Sequence, residues 1–214
     1  LSVKEGARVA EQKKLTGVAI GLMAFLPWIL YGPASATNHW SVATGGGLIL
    51  CLVYLAVLMR RGSSIKLMDW TTLTFFVIAS VLMLGLQSTV FPIYNVVVIW
   101  SCFAVAVWSS VVIGHPFTAA YARETTPPEF WDNPIFRRLN LVMTLFWCGL
   151  LTVNVGFAVT GVIIGGNFGK LVPGLALPMA LLILGFVFNS RFPARYLARR
   201  GYQGDIASPT VSSA

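Results

Sequence analysis

Six apolar runs, each close to the length that crosses a bilayer, constrain this chain more than any other feature. They cover Leu15 to Gly32, His39 to Met59, Leu67 to Leu86, Phe91 to Ile113, Leu139 to Ile164 and Pro173 to Asn189. A helix needs about 20 residues to span the roughly 30 Å of hydrocarbon, and a backbone in lipid must satisfy its own hydrogen bonds, so each run reads as a helix. Only 10% of the residues are charged, against roughly 25% in a soluble domain. The expected fold is an all-α integral membrane bundle of six transmembrane helices over residues 15–190. A polar lead over 1–14 precedes it, and a basic, then disordered, tail over 191–214 follows.

The basic residues orient these spans, because short cytoplasmic segments carry an excess of Lys and Arg. Fourteen of the fifteen fall in the N-terminal lead, the turn after the second run, the connection after the fourth and the tail, and Lys170 alone falls elsewhere. An even number of crossings puts all four clusters on one side, which predicts both termini in the cytoplasm. The sixth run is short and holds Pro178, which predicts a kinked or re-entrant segment, although the four arginines beyond it argue that the chain has returned to the cytoplasm. No short apolar segment with a cleavage-like site precedes the first run, so a cleaved signal peptide is not expected.

The net charge of +8 sits beside the apolar runs, where it sets topology and meets anionic headgroups on the cytoplasmic face, and nucleic acid is not an expected partner. Cys51, Cys102 and Cys148 lie singly inside apolar runs and read as small core residues. Asp69 is the sole acid in a run, one turn from its start, and reads as an interfacial cap. His39 and His115 fall at opposite faces by this topology, each without carboxylate or cysteine company, so neither a metal nor a cofactor is expected. No catalytic motif stands out.

Asn140, Trp147 and Asn154 recur every seven residues along the fifth run, on one drifting face that should point inward. In lipid an asparagine seeks a partner on another helix, and Asn95 in the fourth run is the expected partner of Asn154. Small residues spaced by four, such as Ala43/Gly47, Ala106/Ser110 and Gly161/Gly165, allow close helix approach. The connection Gly114 to Arg138 predicts a short amphipathic helical elbow between the fourth and fifth spans. Thr126-Pro127-Pro128-Glu129 reads as a capping box, Asn133-Pro134 as a second start, and Gly165 to Lys170 as a glycine-rich outer turn. Phe130 and Trp131 among Arg123, Arg137 and Arg138 suit the headgroup layer. With Arg195 and Arg199 of the tail, they are the expected contacts for lipid or a protein partner.

The stretch Phe136-Arg137-Arg138-Leu139-Asn140-Leu141, continuing through Phe146-Trp147-Cys148-Gly149-Leu150 to Asn154, resembles the intracellular septation protein A family. Phe25-Leu26-Pro27 with Tyr31, and the basic-ended Leu52 to Arg61, are looser matches. The resemblance implies a bacterial inner-membrane protein that scaffolds or maintains cell-envelope machinery through membrane-protein and lipid contacts, without a known reaction. The Thr126 to Pro134 insert, the glycine-rich outer turn, the charged lead and the tail depart from that family and mark a divergent branch. Two other expectations stand beside it. One is an accessory subunit of a larger membrane enzyme or pigment complex. The other is a transporter or channel for a small neutral or lipid-like substrate, pointed to by the Asn-Trp-Asn face, Gly45 to Gly47 and Pro178.

Overall fold

The structure, a computed structural model, describes residues 23–124 and 126–198. Its regular structure is helical, with no strand among the described residues. Five helices are long and apolar enough to cross a membrane. The first expected span lies only partly within the described residues, since 15–22 fall outside them. The chain divides into two compact units between Ile93 and Tyr94.

In the first unit, α1 (Leu26–Ala36) runs past Pro33, one turn beyond the expected stop. A proline so close to a helix end forfeits a single internal donor. The hydroxyls of Ser35 and Thr37 donate to the carbonyls of Gly32 and Pro33, each at 2.9 Å. The turn ends at Asn38, whose φ of 61° is the left-handed geometry that asparagine tolerates. α2 (Val42–Arg60) opens with a π-helical turn over Val42–Gly46, and α3 (Leu67–Gly85) closes with another over Val81–Gly85. These two turns adjoin, since a Cβ on Gly45 would lie 3.2 Å from Leu84.

The core of this unit is aromatic. Trp28 stacks on Phe75 with centroids 5.2 Å apart, and Phe75 meets Phe76 and Tyr31 edge to face at 5.2 and 5.4 Å. Gly47 is the floor on which the Phe76 ring lies, with no room for a side chain. The basic turn after α2 starts at Gly62 (φ 66°), and Ser63 N–H caps Leu58 at 3.0 Å. Asp69 does cap α3: its carboxylate accepts from the Lys66 amide at 2.8 Å and from the Tyr54 hydroxyl at 3.2 Å.

The second unit takes in most of α4 (Phe91–Val112), a short α5 (Phe117–Ala122), a 3-10 turn at Pro128–Phe130, α6 (Pro134–Ile164) and α7 (Gly166–Ala198). α6 begins five residues before the expected Leu139, because Asn133 caps it. The Asn133 side chain accepts from the Ile135 amide at 2.8 Å, with Pro134 in the first turn. Arg137 and Arg138 therefore stand on α6 and not in the elbow.

The expected outer turn from Gly165 to Lys170 contracts to the reversal at Gly165 (φ 66°), and helix resumes at Gly166. α7 continues through Pro178 and past Asn189 to Ala198, one helix longer than the expected run. A π-helical turn at Val172–Ala176 accommodates the prolines: the Leu177 amide reaches back to Val172, and the register opens between Pro173 and Pro178, neither of which has an amide hydrogen to lose. α6 and α7 run antiparallel at backbone contact. A Cβ on Gly161 would meet the Gly169 carbonyl at 2.7 Å and the Gly174 amide nitrogen at 3.2 Å.

Candidate functional site

The polar residues of α6 do three different things. Asn140 and Thr144, four positions apart on one face, are buried and receive the short helix α5. Thr118 of α5 donates to the Asn140 carbonyl at 2.8 Å, and its hydroxyl lies 2.9 Å from that of Thr144. The Asn140 amide turns back to its own helix, donating to Phe136 at 2.9 Å. Ser110 secures the other side of α5 by accepting from the Phe117 amide at 3.3 Å. Sequence reasoning singled out Asn140 and missed Thr118 and Thr144. The available signal was Thr144 at i+4 from Asn140, facing a connection whose first turn holds a threonine.

Trp147, half-buried, lies against Gly185 of α7, and its indole N–H reaches the Asn189 side-chain oxygen at 3.4 Å. A second indole, Trp108 of α4, donates to Thr152 of α6 at 3.1 Å and sets the register of that pair.

Asn154 is fully buried, and neither its amide nitrogen nor its carbonyl oxygen has a partner among the described residues. The expected pair with Asn95 is not formed. With Trp108 level with Thr152 in an antiparallel pair, Asn154 lies beside position 106. Asn95, eleven residues along α4, is about 16 Å away down the axis. Asn154 is ten residues, about 15 Å, from the end of α6 at Ile164, well inside the helix.

The elbow is ordered around Trp131. Arg123 sits over its ring at 5.2 Å, and its indole N–H donates to the Thr126 carbonyl at 2.9 Å. Phe130 and Trp131 are half-buried, whereas Arg123, Arg137 and Arg138 are exposed. Arg137 pairs with Asp132 at 2.7 Å. The capping box expected at Thr126 is not made. Pro127 itself stands before the 3-10 turn in an extended conformation (ψ 144°), with no side-chain cap. Pro128 is the cause, since a residue before proline is pushed out of the helical region. Arg195 is exposed on α7, and Arg199 lies outside the described residues.

The histidines are engaged locally, His39 with the Thr37 hydroxyl at 3.0 Å and His115 with the Ile113 carbonyl at 3.1 Å. Among the described residues no three of His, Cys, Asp and Glu gather into a metal-binding group. A shallow groove of about 390 Å³ on α4 is lined by Ala104, Val105, Trp108, Ser109, Val112 and Ile113. Its two polar side chains are both committed, Trp108 to Thr152 and Ser109 to the Val105 carbonyl. No family model, curated protein or solved structure matches the chain.

Proposed function

We propose that this chain is a non-enzymatic protein of the bacterial inner membrane, related to the septation proteins its fifth apolar run resembles. In this reading it crosses the membrane six times, with both termini in the cytoplasm, and holds its elbow out as a platform for envelope proteins. One observation carries the proposal: the buried tie from Thr118 to Asn140 and Thr144, which anchors the start of the elbow to a membrane-length helix. A connection that merely joined two spans would need no such anchor. This one is pinned at α5 and ordered again around Trp131, so it offers a fixed surface at little entropic cost. The sorting of fourteen of fifteen basic residues supports the orientation.

The test is a photo-crosslinking amino acid at position 129 or 130, which leaves Trp131 in place, in growing cells, combined with deletion of the gene. Capture of a defined envelope protein and a division or envelope defect are expected. Normal morphology together with no captured partner overturns the platform reading.

The unpartnered amide of Asn154 favours a second reading, a passage for a small neutral or lipid-like substrate, because a polar group at that depth usually has a use. Substrate flux in vesicles that is lost in Asn154→Leu, with division intact, would place this reading first.

A further inference from the structure

The outward face of α7 separates sharply into an apolar part and a cationic part. Its inward side is an aromatic ladder. Phe188 stacks on Phe146 of α6 at 3.9 Å, and Phe192 stacks on Phe188 at 4.6 Å. A different side of the helix carries Ile183, Val187, Arg191 and Arg195, every fourth residue and so one continuous stripe. All four are exposed, Ile183 at 65% and Val187 at 40%. Arg137 is taken by Asp132, but neither Arg191 nor Arg195 has a carboxylate at ion-pair distance among the described residues.

Depth gives the stripe its meaning. Counted from Leu171, just after Lys170, about 20 residues of helix cross the hydrocarbon and bring the chain to Ser190. Arg191 thus stands at the hydrocarbon edge, and Arg195 one turn, about 6 Å, further into the headgroup layer. Helical side chains lean toward the N-terminus of their helix, here toward the hydrocarbon, which lowers the Arg195 guanidinium to phosphate level, while the long Arg191 side chain snorkels outward to meet it there. Arginine, with its planar fork of donors, suits a phosphate better than lysine does. Arg138 emerges from α6 at the same end, because Phe146 is level with Phe188 in the antiparallel pair.

We propose that the Ile183 to Arg195 face of α7 binds one anionic phospholipid, with an acyl chain along Ile183 and Val187 and the phosphate held by Arg191 and Arg195. A zwitterionic lipid brings the same phosphate with its own cation, so net charge discriminates between them. This binding does not depend on the platform reading, because it uses neither the elbow nor any protein partner.

The test is native mass spectrometry of the full chain in mild detergent, with phosphatidylglycerol or phosphatidylcholine added. Preferential retention of phosphatidylglycerol is expected. Arg191→Gln/Arg195→Gln should weaken it roughly tenfold or more, and Arg60→Gln/Arg61→Gln, an equal charge loss at the end of α2, should change it less than about twofold. The single variant Arg195→Gln, outside the hydrocarbon, should show a partial loss and guards against a folding defect in the double variant. Retention of both lipids alike, or equal loss in the two double variants, overturns the proposal. Displacement of the lipid by excess inorganic phosphate also overturns it, since that marks a simple anion site.

Discussion

In the first unit four aromatic rings, Trp28, Tyr31, Phe75 and Phe76, pack on one another, and Phe76 lies on Gly47. In the second, indoles, threonines and asparagines tie helix to helix, and α6 and α7 touch backbone to backbone at Gly161. Lipid tails are as apolar as leucine, so helices in a membrane associate through fit and hydrogen bonds and not through hydrophobic transfer. The two units use the two available means. Ring packing is tolerant, because rings can shift and several pairs of about 0.5 to 1.5 kcal/mol each share the load. Backbone contact and buried hydroxyl ties are exacting, because neither has a substitute nearby.

The sharpest break of that contrast comes from adding one methyl group to each unit. Gly161→Ala drives a carbon into the Gly169 carbonyl and the Gly174 amide, which cannot rotate away. A loss of about 3 kcal/mol is expected, read as a lower midpoint in a detergent-denaturation titration. Gly47→Ala overlaps the buried Phe76 ring, which must turn to make room; a side chain can turn where a carbonyl cannot, so it should cost less. If it costs more, the aromatic unit is the stiffer one and the contrast fails.

A smaller effect tests the polar tie. Thr118→Val leaves the Thr144 hydroxyl without its cross-helix partner and should cost about 1 to 2 kcal/mol. Faster hydrogen exchange in α5 and the elbow, with α2 and α3 unchanged, is the expected pattern. Exchange unchanged in the elbow would mean that the anchor does not order it.

The smallest effect has the opposite sign. Asn154→Leu removes an amide that makes no bond, so stability should hold or rise by up to about 1 kcal/mol. A loss of more than about 2 kcal/mol would show that Asn154 is hydrogen-bonded in the membrane.

Where the chemistry was local, the sequence was a good guide. Asn133-Pro134 starts a helix because a side chain two residues from the amide it caps needs no information from elsewhere. Asp69 caps α3 for the same reason. The glycine-rich stretch after Ile164 reads as a turn by propensity, yet Gly166 to Leu171 is helical. Gly169 and Gly174 serve as surfaces for the approach of Gly161, and tertiary fit outweighs the roughly 1 kcal/mol that glycine costs a helix. Thr118, the residue that anchors the elbow, was missed because its two partners lie 22 and 26 residues away, and the Asn140/Thr144 spacing marks a polar face without saying what meets it.

From the sequence alone came six apolar runs, of which five lie in membrane-length helices, since bilayer thickness and backbone satisfaction act on each segment separately; their ends agree within three residues except at the start of α6 and at both ends of α7. Which polar groups meet was decided only by the tertiary structure. Asn95 and Asn154 look like a pair until Trp108 and Thr152 set the register of α4 against α6. A shift of one helical turn moves a side chain about 5 Å, more than the reach of a hydrogen bond. Contacts between helices therefore depend on a register that no single segment encodes.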